Sequence, residues 1–440
     1  MSVLSAMSDA FQKGGIKAAF NFPGFHSHEL FAFLGGTTIS TNEKIAYETA
    51  WGFSQAGQPA LVTFKNVGLN DAADPFINSY FTGIGAGLVV VVFDDIELEG
   101  SQATLDSRNY WYHAGGLWLE PFDWQSACLF AEAAPKISEV FNIPVVVRLT
   151  NASLRFNKAD SKTPNLSAAE TVALAQKYAA DFSRLPQMPL VHPAYGDEQR
   201  TVLDQKNRAI ADFVQDLHNR INPQGITGEV SMGYAAPQAT SQIVSLPLPV
   251  VKDVTAVYEV GGAVAARELR LQTSSSTLRS TTIGYNPVNK SRVIIAERYE
   301  RLFRLLKPRF TYITGDLGEY TMDTLNTLTQ CLCFGSSVAV SMGMRMAGGN
   351  ALAVTGDGSF YHSAKNCLDE AQERQVPVHV VLLDNGGMQG TGGQRVPGVL
   401  PANATILNCD LSDASEQELT AVVQKFCEID GTAILHVIIE

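Results

Sequence analysis

Two short stretches in the second half of the chain decide the fold class, Gly356-Asp357-Gly358-Ser359 and Asp384-Asn385-Gly386-Gly387. Each follows an apolar run, residues 351–354 in the first case and 378–383 in the second. Apolar runs that end in small or acidic turns are typical of parallel strands in an open α/β sheet. Asp357 and Asn385 are 28 residues apart, which leaves room for one helix between the two strands.

The same two stretches carry groups that suit a magnesium–diphosphate site. In an open α/β sheet, ligands bind outside the carboxyl ends of the strands. The Asp357 carboxylate, the Asn385 amide oxygen and a backbone carbonyl in the same turns are hard oxygen ligands of the kind that Mg²⁺ takes. Glycines allow the backbone to approach phosphate groups closely. Either stretch alone would be an ordinary turn, but the pair at this spacing resembles the thiamine diphosphate motif, which favours a cofactor site.

Length and charge narrow the class of protein. A chain of 440 residues predicts two or three domains. The net charge of −12 argues against nucleic acid and anionic membranes as partners. No run approaches the roughly 20 apolar residues of a membrane span, and the first residues lack the features of a signal peptide. We therefore expect a cytoplasmic enzyme that acts on small molecules.

The six cysteines are scattered along the chain, with one Cys-x-Cys and no Cys-x-x-Cys. This spacing is a poor framework for disulfides and a poorer one for a metal site. We expect the cysteines to serve as small buried apolar residues.

Alternating apolar runs and helical segments divide the chain into two α/β domains around a middle segment. The predicted limits are 1–156 and 291–440 for the α/β domains and 165–290 for the middle segment, whose fold the sequence leaves open. Helices are predicted over 168–182 and 205–221. The predicted strands are 18–22, 60–64, 87–93, 144–149, 310–314, 351–355, 378–383 and 432–438.

Several short motifs resemble those of one enzyme family. They are Phe22-Pro23-Gly24, Asn42-Glu43-Lys44, residues 65–75, Ser101-Gln102, Asp106-Ser107-Arg108, Leu119-Glu120-Pro121, residues 315–318, 331–337 and 356–360, and Thr391-Gly392-Gly393-Gln394. In this order they resemble the thiamine diphosphate-dependent 2-oxoacid oxidoreductases, in particular the α subunit of indolepyruvate ferredoxin oxidoreductase. The resemblance lies in both α/β halves and is weak in the middle segment.

The resemblance implies a fold and two cofactors. The fold would be α/β, with two doubly wound thiamine diphosphate-binding domains flanking a shortened middle segment. Residues 1–156 would be the pyrimidine-binding domain and residues 291–440 the diphosphate- and magnesium-binding domain. The cofactors would be thiamine diphosphate and Mg²⁺. In this family the two kinds of domain meet across a dimer interface, so a homodimer with the site at that interface is expected.

Glu43 is the predicted catalytic acid. The cofactor is activated when a carboxylic acid bonds the ring nitrogen of its aminopyrimidine, which requires a proton shared at neutral pH. Glu43 lies nine residues before Gly52, where related enzymes carry this glutamate. The structural alternative is a capping box over residues 40–43, in which Glu43 only returns a hydrogen bond to the helix start. Glu48 is a weaker candidate and is expected to pair locally.

The other cofactor contacts follow from the resemblance. Asp357, Asn385 and the carbonyl of Gly387 would bind Mg²⁺, and Asn70 would lie near the pyrimidine. The diphosphate would be held by backbone N–H and hydroxyl groups at a helix start and in glycine turns. Those residues are Gly335, Ser336, Ser337, Gly358, Ser359 and Thr391.

Two residues are candidates for contact with the substrate. Arg108 resembles the arginine that pairs with the substrate carboxylate in pyruvate-specific relatives, a task for which a guanidinium fork is suited. The alternative is an ordinary surface arginine. His26 stands where relatives have Thr-Pro, and it is a candidate proton donor to the reacting centre. The alternative for His26 is ordinary loop polarity.

Departures from the family pattern bear on the reaction. The family's α subunit continues into a ferredoxin-like tail with closely spaced cysteines, and these 440 residues contain no such run. Gly390 replaces the asparagine found before Thr-Gly-Gly-Gln in pyruvate-specific relatives. We therefore expect a non-oxidative 2-oxo acid decarboxylase, with carboligation as a variant of its reaction and an apolar or aromatic substrate.

Two other hypotheses are compatible with the same motifs. The chain would be an α-type oxidoreductase subunit if a separate partner supplies the iron–sulfur clusters. It would be a binding or regulatory protein if it keeps the cofactor site without turnover. A nicotinamide enzyme is remote, because Tyr361 stands where Gly-x-Gly-x-x-Gly requires its third glycine.

Overall fold

The computed structural model describes residues 1–97, 99, 106–108, 110, 114–161, 166–179, 190–191, 196–221, 298–323 and 325–439. The chain forms two compact units. The first comprises Met1–Ile39, Gln58–Gln187 and Asp197–Tyr285, and the second comprises Ser40–Gly57, Met188–Gly196 and Asn286–Glu440. Most of the predicted middle segment and the motif Ser101-Gln102 lie outside the described residues. The predicted domain limits stay predictions.

The first unit contains a five-stranded parallel sheet. Its strands are β1 (Ala18–Asn21), β2 (Ala60–Lys65), β3 (Leu88–Asp94), β4 (Leu117–Leu119) and β5 (Val145–Thr150). They lie in the order β1-β2-β3-β5-β4. Every residue of β2, β3 and β5 is buried, as expected for apolar strands covered on both faces. All four strands predicted in this half are confirmed, and β4 is an addition too short to show a pattern.

Nine helices are described between residues 1 and 221. They are α1 (Val3–Lys13), α2 (Ser27–Phe33), α3 (Glu43–Gln55), α4 (Asn66–Asp71), α5 (Ala73–Thr82), α6 (Trp124–Phe141), α7 (Asn151–Leu154), α8 (Ala168–Ala179) and α9 (Gly196–Ile221). Helix α3 belongs to the second unit. The predicted helices over 168–182 and 205–221 correspond to α8 and α9. Helix α9 begins nine residues earlier than expected, and residues 180–182 lie outside the described part.

The second unit contains a six-stranded parallel sheet. Its strands are β6 (Tyr312–Gly315), β7 (Gln330–Cys331), β8 (Ala351–Gly356), β9 (His379–Asp384), β10 (Thr405–Asp410) and β11 (Ala433–Ile438). They lie in the order β10-β11-β9-β8-β6-β7. The four strands predicted in this half are confirmed. The two additional strands, β7 and β10, occupy the edges of the sheet, where the apolar signal is weakest.

Helices cover both faces of this second sheet. After α3, the helices of the unit are α10 (Glu300–Leu306), α11 (Ser337–Met346), α12 (Asp357–His362), α13 (Cys367–Glu373) and α14 (Glu416–Cys427). Leu352 and Val354 of β8 pack with α10 and α14 in one apolar cluster. Ala353, between them, packs with α3, α11 and α13 in the other. Because successive side chains of a strand point to opposite faces, the unit is doubly wound, as predicted.

Two further features concern the state of the cysteines and the length of the apolar helices. No disulfide bond forms among the six cysteines, all of which lie within the described residues, and four of the six are buried. Among the described residues, none of the helices is both long and apolar enough to cross a membrane.

Candidate active site

A cleft of about 540 Å³ opens at the carboxyl ends of β6, β8 and β9 in the second unit. Strands β8 and β9 pair with Gly356 opposite Leu383, so the two glycine-rich turns leave the sheet side by side. Six of the predicted cofactor or metal residues line this cleft: Asp357, Gly358, Ser359, Asn385, Gly387 and Thr391. Parallel pairing thus brings together residues that are far apart in the sequence.

Asp357 begins helix α12 and is only 8% exposed. The backbone N–H of Gly358 donates a hydrogen bond of 2.8 Å to its Oδ1. Burial, followed by the nearby charge of Asp384, raises the pKa of Asp357. A buried carboxylate whose charge is disfavoured in this way is stabilised by a bound cation.

Asn385 follows strand β9 and faces the same cleft. Its side-chain Oδ1 is buried and has no hydrogen-bond partner in the described part of the chain. Unsatisfied buried acceptors are rare in folded proteins and require an explanation. A metal ligand provides one, because an amide oxygen is a hard donor.

Tyr299 is a wall of the cleft for which the sequence carries no recognisable signal. It lies directly before helix α10, is 1% exposed, and has its ring 6.2 Å from that of Tyr320 in an edge-on contact. Burial, followed by the charge of Glu319, raises its pKa to about 12, although a side-chain hydrogen bond with Asn385 opposes the shift. Tyr299 therefore stays a neutral phenol beside the predicted metal ligand.

The turn after β9 depends on glycine. Gly387 has a φ of 149°, and a Cβ at this position would lie 2.6 Å from the carbonyl oxygen of Gln394. Its own carbonyl accepts a hydrogen bond of 2.9 Å from Gln389 N–H. A carbonyl oxygen has two lone pairs, so a metal contact remains open to it. The carboxylate, the orphaned amide oxygen and this backbone together fit Mg²⁺ with a diphosphate.

The helix start at residues 335–337 does not line the cleft that the two glycine-rich turns line. Gly335, Ser336 and Ser337 are not among the cleft-lining residues of the described part. The Ser336 hydroxyl donates to the carbonyl of Cys333 at 2.8 Å. The backbone N–H and hydroxyl of Ser337 both donate to Asp316, at 2.7 and 2.9 Å. The hydrogen-bonding groups of both serines are thus used inside the unit.

Asp316 is a buried carboxylate to which the sequence reasoning gave no role. Besides Ser337, it accepts a hydrogen bond of 2.7 Å from the Thr355 hydroxyl. Burial raises the pKa of Asp316 to about 6, against the effect of these hydrogen bonds. The residue ties the ends of β6 and β8 to the start of α11. Its presence in the motif 315–318 was the available signal.

Glu43 is the first residue of α3. The helix is capped by Asn42, whose Oδ1 accepts a hydrogen bond of 2.8 Å from Ile45 N–H. The Ser40 hydroxyl instead donates to Glu370 at 3.0 Å, so a capping box with Ser40 as the cap does not form. Glu43 is not among the cleft-lining residues of the described part. Its catalytic role stays a prediction.

Glu48, one turn further along α3, belongs to a buried polar cluster. Lys44 donates to its carboxylate, and the Cys333 thiol donates to the same oxygen at 3.2 Å. Lys44 also lies 3.1 Å from the Cys333 sulfur. Burial raises the pKa of Glu48 to about 7, even though Lys44 opposes the shift. The expected local pairing of Glu48 is present.

In the first unit, Arg108 is 6% exposed and already bound to a carboxylate. Its Nε donates to both oxygens of Asp106, at 2.8 and 2.9 Å. Although burial opposes it, the hydrogen bond from Arg108 and the charge of Arg148 lower the pKa of Asp106. A substrate carboxylate would therefore have to share Arg108 with Asp106.

Asn70 and His26 lie at exposed or half-buried positions of the first unit. Asn70 is exposed near the end of α4 and accepts a hydrogen bond from the Tyr110 hydroxyl. His26 stands directly before α2, with its Nδ1 2.6 Å from Oε1 of Glu29.

Part of the second unit is similar to a known cofactor-binding domain. Residues 316–437 match the family described as thiamine pyrophosphate enzyme, C-terminal TPP binding domain. Together with the relatives described next, this match confirms the resemblance to the thiamine diphosphate-dependent superfamily.

Three similar proteins from different organisms have the same name, indolepyruvate oxidoreductase subunit IorA. The chain is 26% identical to indolepyruvate oxidoreductase subunit IorA of Archaeoglobus fulgidus, over 89% of this chain and 76% of that protein. It is 24% identical to the IorA of Pyrococcus abyssi, over 87% of this chain and 74% of that protein. A local match to the IorA of Methanothermobacter thermautotrophicus reaches 35% identity, over 31% of this chain and 24% of that protein.

A solved structure supports the fold. It is described as a candidate thiamin diphosphate-dependent enzyme of Mycobacterium smegmatis, and it superposes with a TM-score of 0.53. The superposition covers 100% of this chain and 99% of that chain, at 17% sequence identity. At this identity the likeness concerns the fold alone.

Proposed function

We propose that the chain is a thiamine diphosphate- and magnesium-dependent enzyme that decarboxylates a 2-oxo acid and passes the electrons to a partner polypeptide. It would be an α-type subunit of a 2-oxoacid oxidoreductase. The observation that carries the proposal is the similarity to indolepyruvate oxidoreductase subunits over 89% of the chain. The expectation from the sequence was the reverse, because it favoured a non-oxidative decarboxylase over an oxidoreductase subunit.

The described residues support the cofactor part of the proposal. Asp357 and Asn385 would hold Mg²⁺ through their side chains, and Gly387 would do so through its carbonyl. The backbone N–H groups of Ser359 and Gly358, in the first turn of α12, would receive the diphosphate, for which the Gly358 N–H would exchange its present hydrogen bond with Asp357. When bound, thiamine diphosphate supplies the nucleophilic carbon and the electron sink that allow CO₂ to leave.

Glu43 would hold the proton that activates the cofactor's aminopyrimidine. It is the first residue of α3, and the helix is capped by Asn42. In the family that the chain resembles, this glutamate reaches the cofactor in a homodimer. A homodimer is therefore part of the proposal.

The cleft supports an apolar or aromatic 2-oxo acid as the substrate. Its wall includes Tyr299, Leu317, Tyr320 and Phe334, alongside the metal-binding turns. Aromatic walls bury large flat side chains favourably. We propose indolepyruvate-like acids as the first compounds to test.

A second candidate is acceptor-independent decarboxylation or carboligation. It is favoured by the cysteines, since an iron–sulfur cluster needs closely spaced cysteine ligands and the six cysteines are scattered without a Cys-x-x-Cys. Both candidates share the addition to the 2-oxo acid and the loss of CO₂. They differ in the fate of the electrons.

Release of CO₂ from a panel of 2-oxo acids tests the proposal. The purified chain is supplied with thiamine diphosphate and Mg²⁺, with and without an artificial one-electron acceptor. We expect turnover only with the acceptor, and none in an Asp357→Ala variant. Equal turnover without the acceptor would replace the proposal by the second candidate. No release in either condition would refute both.

A further inference from the structure

We propose that Glu29 is a positioning residue that fixes the tautomer of His26, so that Nε2 of His26 is the nitrogen that exchanges a proton with the oxygen of a bound 2-oxo acid. The inference rests on the proposed function. It assigns Glu29 a role that no motif in the sequence indicated, and it gives His26 a defined chemical state.

The contact between the two side chains determines the tautomer. Nδ1 of His26 lies 2.6 Å from Oε1 of Glu29, three residues further along the chain. An ionised carboxylate can only accept a hydrogen bond, so Nδ1 carries the hydrogen. In the neutral ring, Nε2 then holds the lone pair. In the described part of the chain Nε2 makes no hydrogen bond, and 35% of the His26 side chain is exposed.

The ring of His26 also contacts the ring of its neighbour in the sequence. Phe25 packs edge-on against it, with ring centroids 4.4 Å apart and an interplanar angle of 74°. Phe25 has a φ of 49°, in the left-handed region that bulky residues rarely occupy. Such a conformation persists where the surrounding structure enforces it, and it is frequent at functional sites. An ordinary helix-surface pair would not require it.

The turn that presents His26 is anchored to the sheet. It leaves strand β1 at the carboxyl edge, the edge where α/β sheets bind ligands. The Asn21 amide donates to the carbonyl of Thr63 at 2.7 Å and to the Ser27 hydroxyl at 3.1 Å. That hydroxyl in turn accepts the N–H of Gly24 at 3.1 Å. These hydrogen bonds fix the conformation of the turn relative to the sheet.

The proton transfer balances without another reagent. Protonated His26 carries hydrogen on both nitrogens. It gives the Nε2 proton to the carbonyl oxygen of the 2-oxo acid as negative charge develops there. The ring becomes neutral, and its Nδ1 keeps its hydrogen, which it donates to Glu29. Nε2 takes a proton back when the oxygen is released as a carbonyl. An orienting carboxylate holds the imidazole in the same way in other proton-transfer sites.

The test combines histidine NMR with kinetics on the full chain. Glu29→Leu removes the acceptor, and His26→Gln assigns the resonance. The matched control is Glu132→Leu, which breaks a surface contact of 2.9 Å with Lys13 in the same unit. In ¹⁵N-histidine-labelled wild type, neutral His26 should show hydrogen on Nδ1. Glu29→Leu should show a mixture of tautomers, and the control should show the wild-type pattern.

The kinetic expectation follows from the loss of an oriented proton donor. The kcat of Glu29→Leu should fall about tenfold, which is part of the rate enhancement that general acid–base catalysis usually contributes. The KM should be nearly unchanged, and the control variant should keep the wild-type kcat. A wild-type tautomer pattern in Glu29→Leu, or a wild-type kcat in His26→Gln, would overturn the inference. Should wild type release no CO₂ at all, the proposed function fails first, and the NMR still reports whether Glu29 sets the tautomer.

Discussion

Gly52 of helix α3 lies in backbone contact with Val340 of helix α11. A Cβ on Gly52 would be 2.2 Å from the Val340 carbonyl oxygen, and a Cβ on Gly343 would be 2.0 Å from that of Thr49. Side-chain carbons cannot approach backbone this closely. The two glycines therefore set the distance between the helices, and with it the place of the buried Lys44 and Glu48.

Replacing Gly52 by alanine should destabilise the protein by about 1–3 kcal/mol, the usual cost of overpacking a close contact. The free energy of unfolding is measured by urea titration. Gly431→Ala is the control, because a Cβ there meets nothing within 4 Å. Equal stability of Gly52→Ala and wild type would mean that the two helices can move apart freely.

Removing a predicted metal ligand should weaken Mg²⁺ binding. We expect Asp357→Ala and Asn385→Ala to raise the Kd for Mg²⁺, measured calorimetrically with thiamine diphosphate present, by about 10- to 100-fold or more. Asp413→Ala, at an exposed position of the same unit, should bind as wild type does. Unchanged affinity in both site variants would place the metal elsewhere.

The buried carboxylate of Glu48 predicts a pH dependence of stability. Its pKa is raised from the model-compound value of 4.5 to about 7 by burial. Between these values the folded state binds more protons than the unfolded state, so the free energy of unfolding should fall as the pH rises through this window. Asp316 adds a fall of the same sign up to about pH 6.

Glu48→Gln should flatten this profile, because glutamine does not titrate. Urea titrations at several values between pH 4.5 and 7 would measure the slope in wild type and in the variant. Parallel slopes would indicate that Glu48 is ionised throughout the window and that its partner Lys44 outweighs burial.

A buried ion network in the first unit should be sensitive to the loss of one member. Arg148 is 0% exposed, with its Nε 2.5 Å from Asp94 and its Nη1 bound to Glu120. Arg148→Met would strand both carboxylates and should cost about 3–5 kcal/mol of unfolding free energy. Adding Asp94→Asn should cost less than the sum of the two single changes. Strict additivity in urea titrations would show that the two residues act independently.

Local sequence was sufficient for the central strands and for the glycine-rich turns that follow β8 and β9. Runs such as Leu88–Asp94 are apolar throughout, because a parallel strand covered on both faces has no polar side to present. The turns after β8 and β9 were visible because glycine and acidic residues mark the ends of such strands. Asp357 and Asn385 therefore met in one cleft as predicted.

Edge strands and residue partners were beyond the reach of local pattern. Strand β7 is only two residues long and β10 is mostly exposed or half-buried, so neither forms a long apolar run. The serines at residues 336 and 337 looked like phosphate ligands, but Asp316 and Cys333 take their hydrogen bonds. Arg108 was a candidate for contact with the substrate carboxylate, and the structure shows that it donates a hydrogen bond to Asp106.

The sequence by itself determined the central strands of the two parallel sheets and the glycine turns at their carboxyl edge, because these depend on burial and turn chemistry within a few residues. The class of cofactor came from the resemblance of its motifs to those of a known family. Tertiary structure alone decided that α3 packs in the second unit, that Tyr299 stands beside Asn385, and that Glu48 is buried with Lys44. Such contacts and pKa shifts depend on which distant segments exclude water from one another, and short-range pattern carries no record of that.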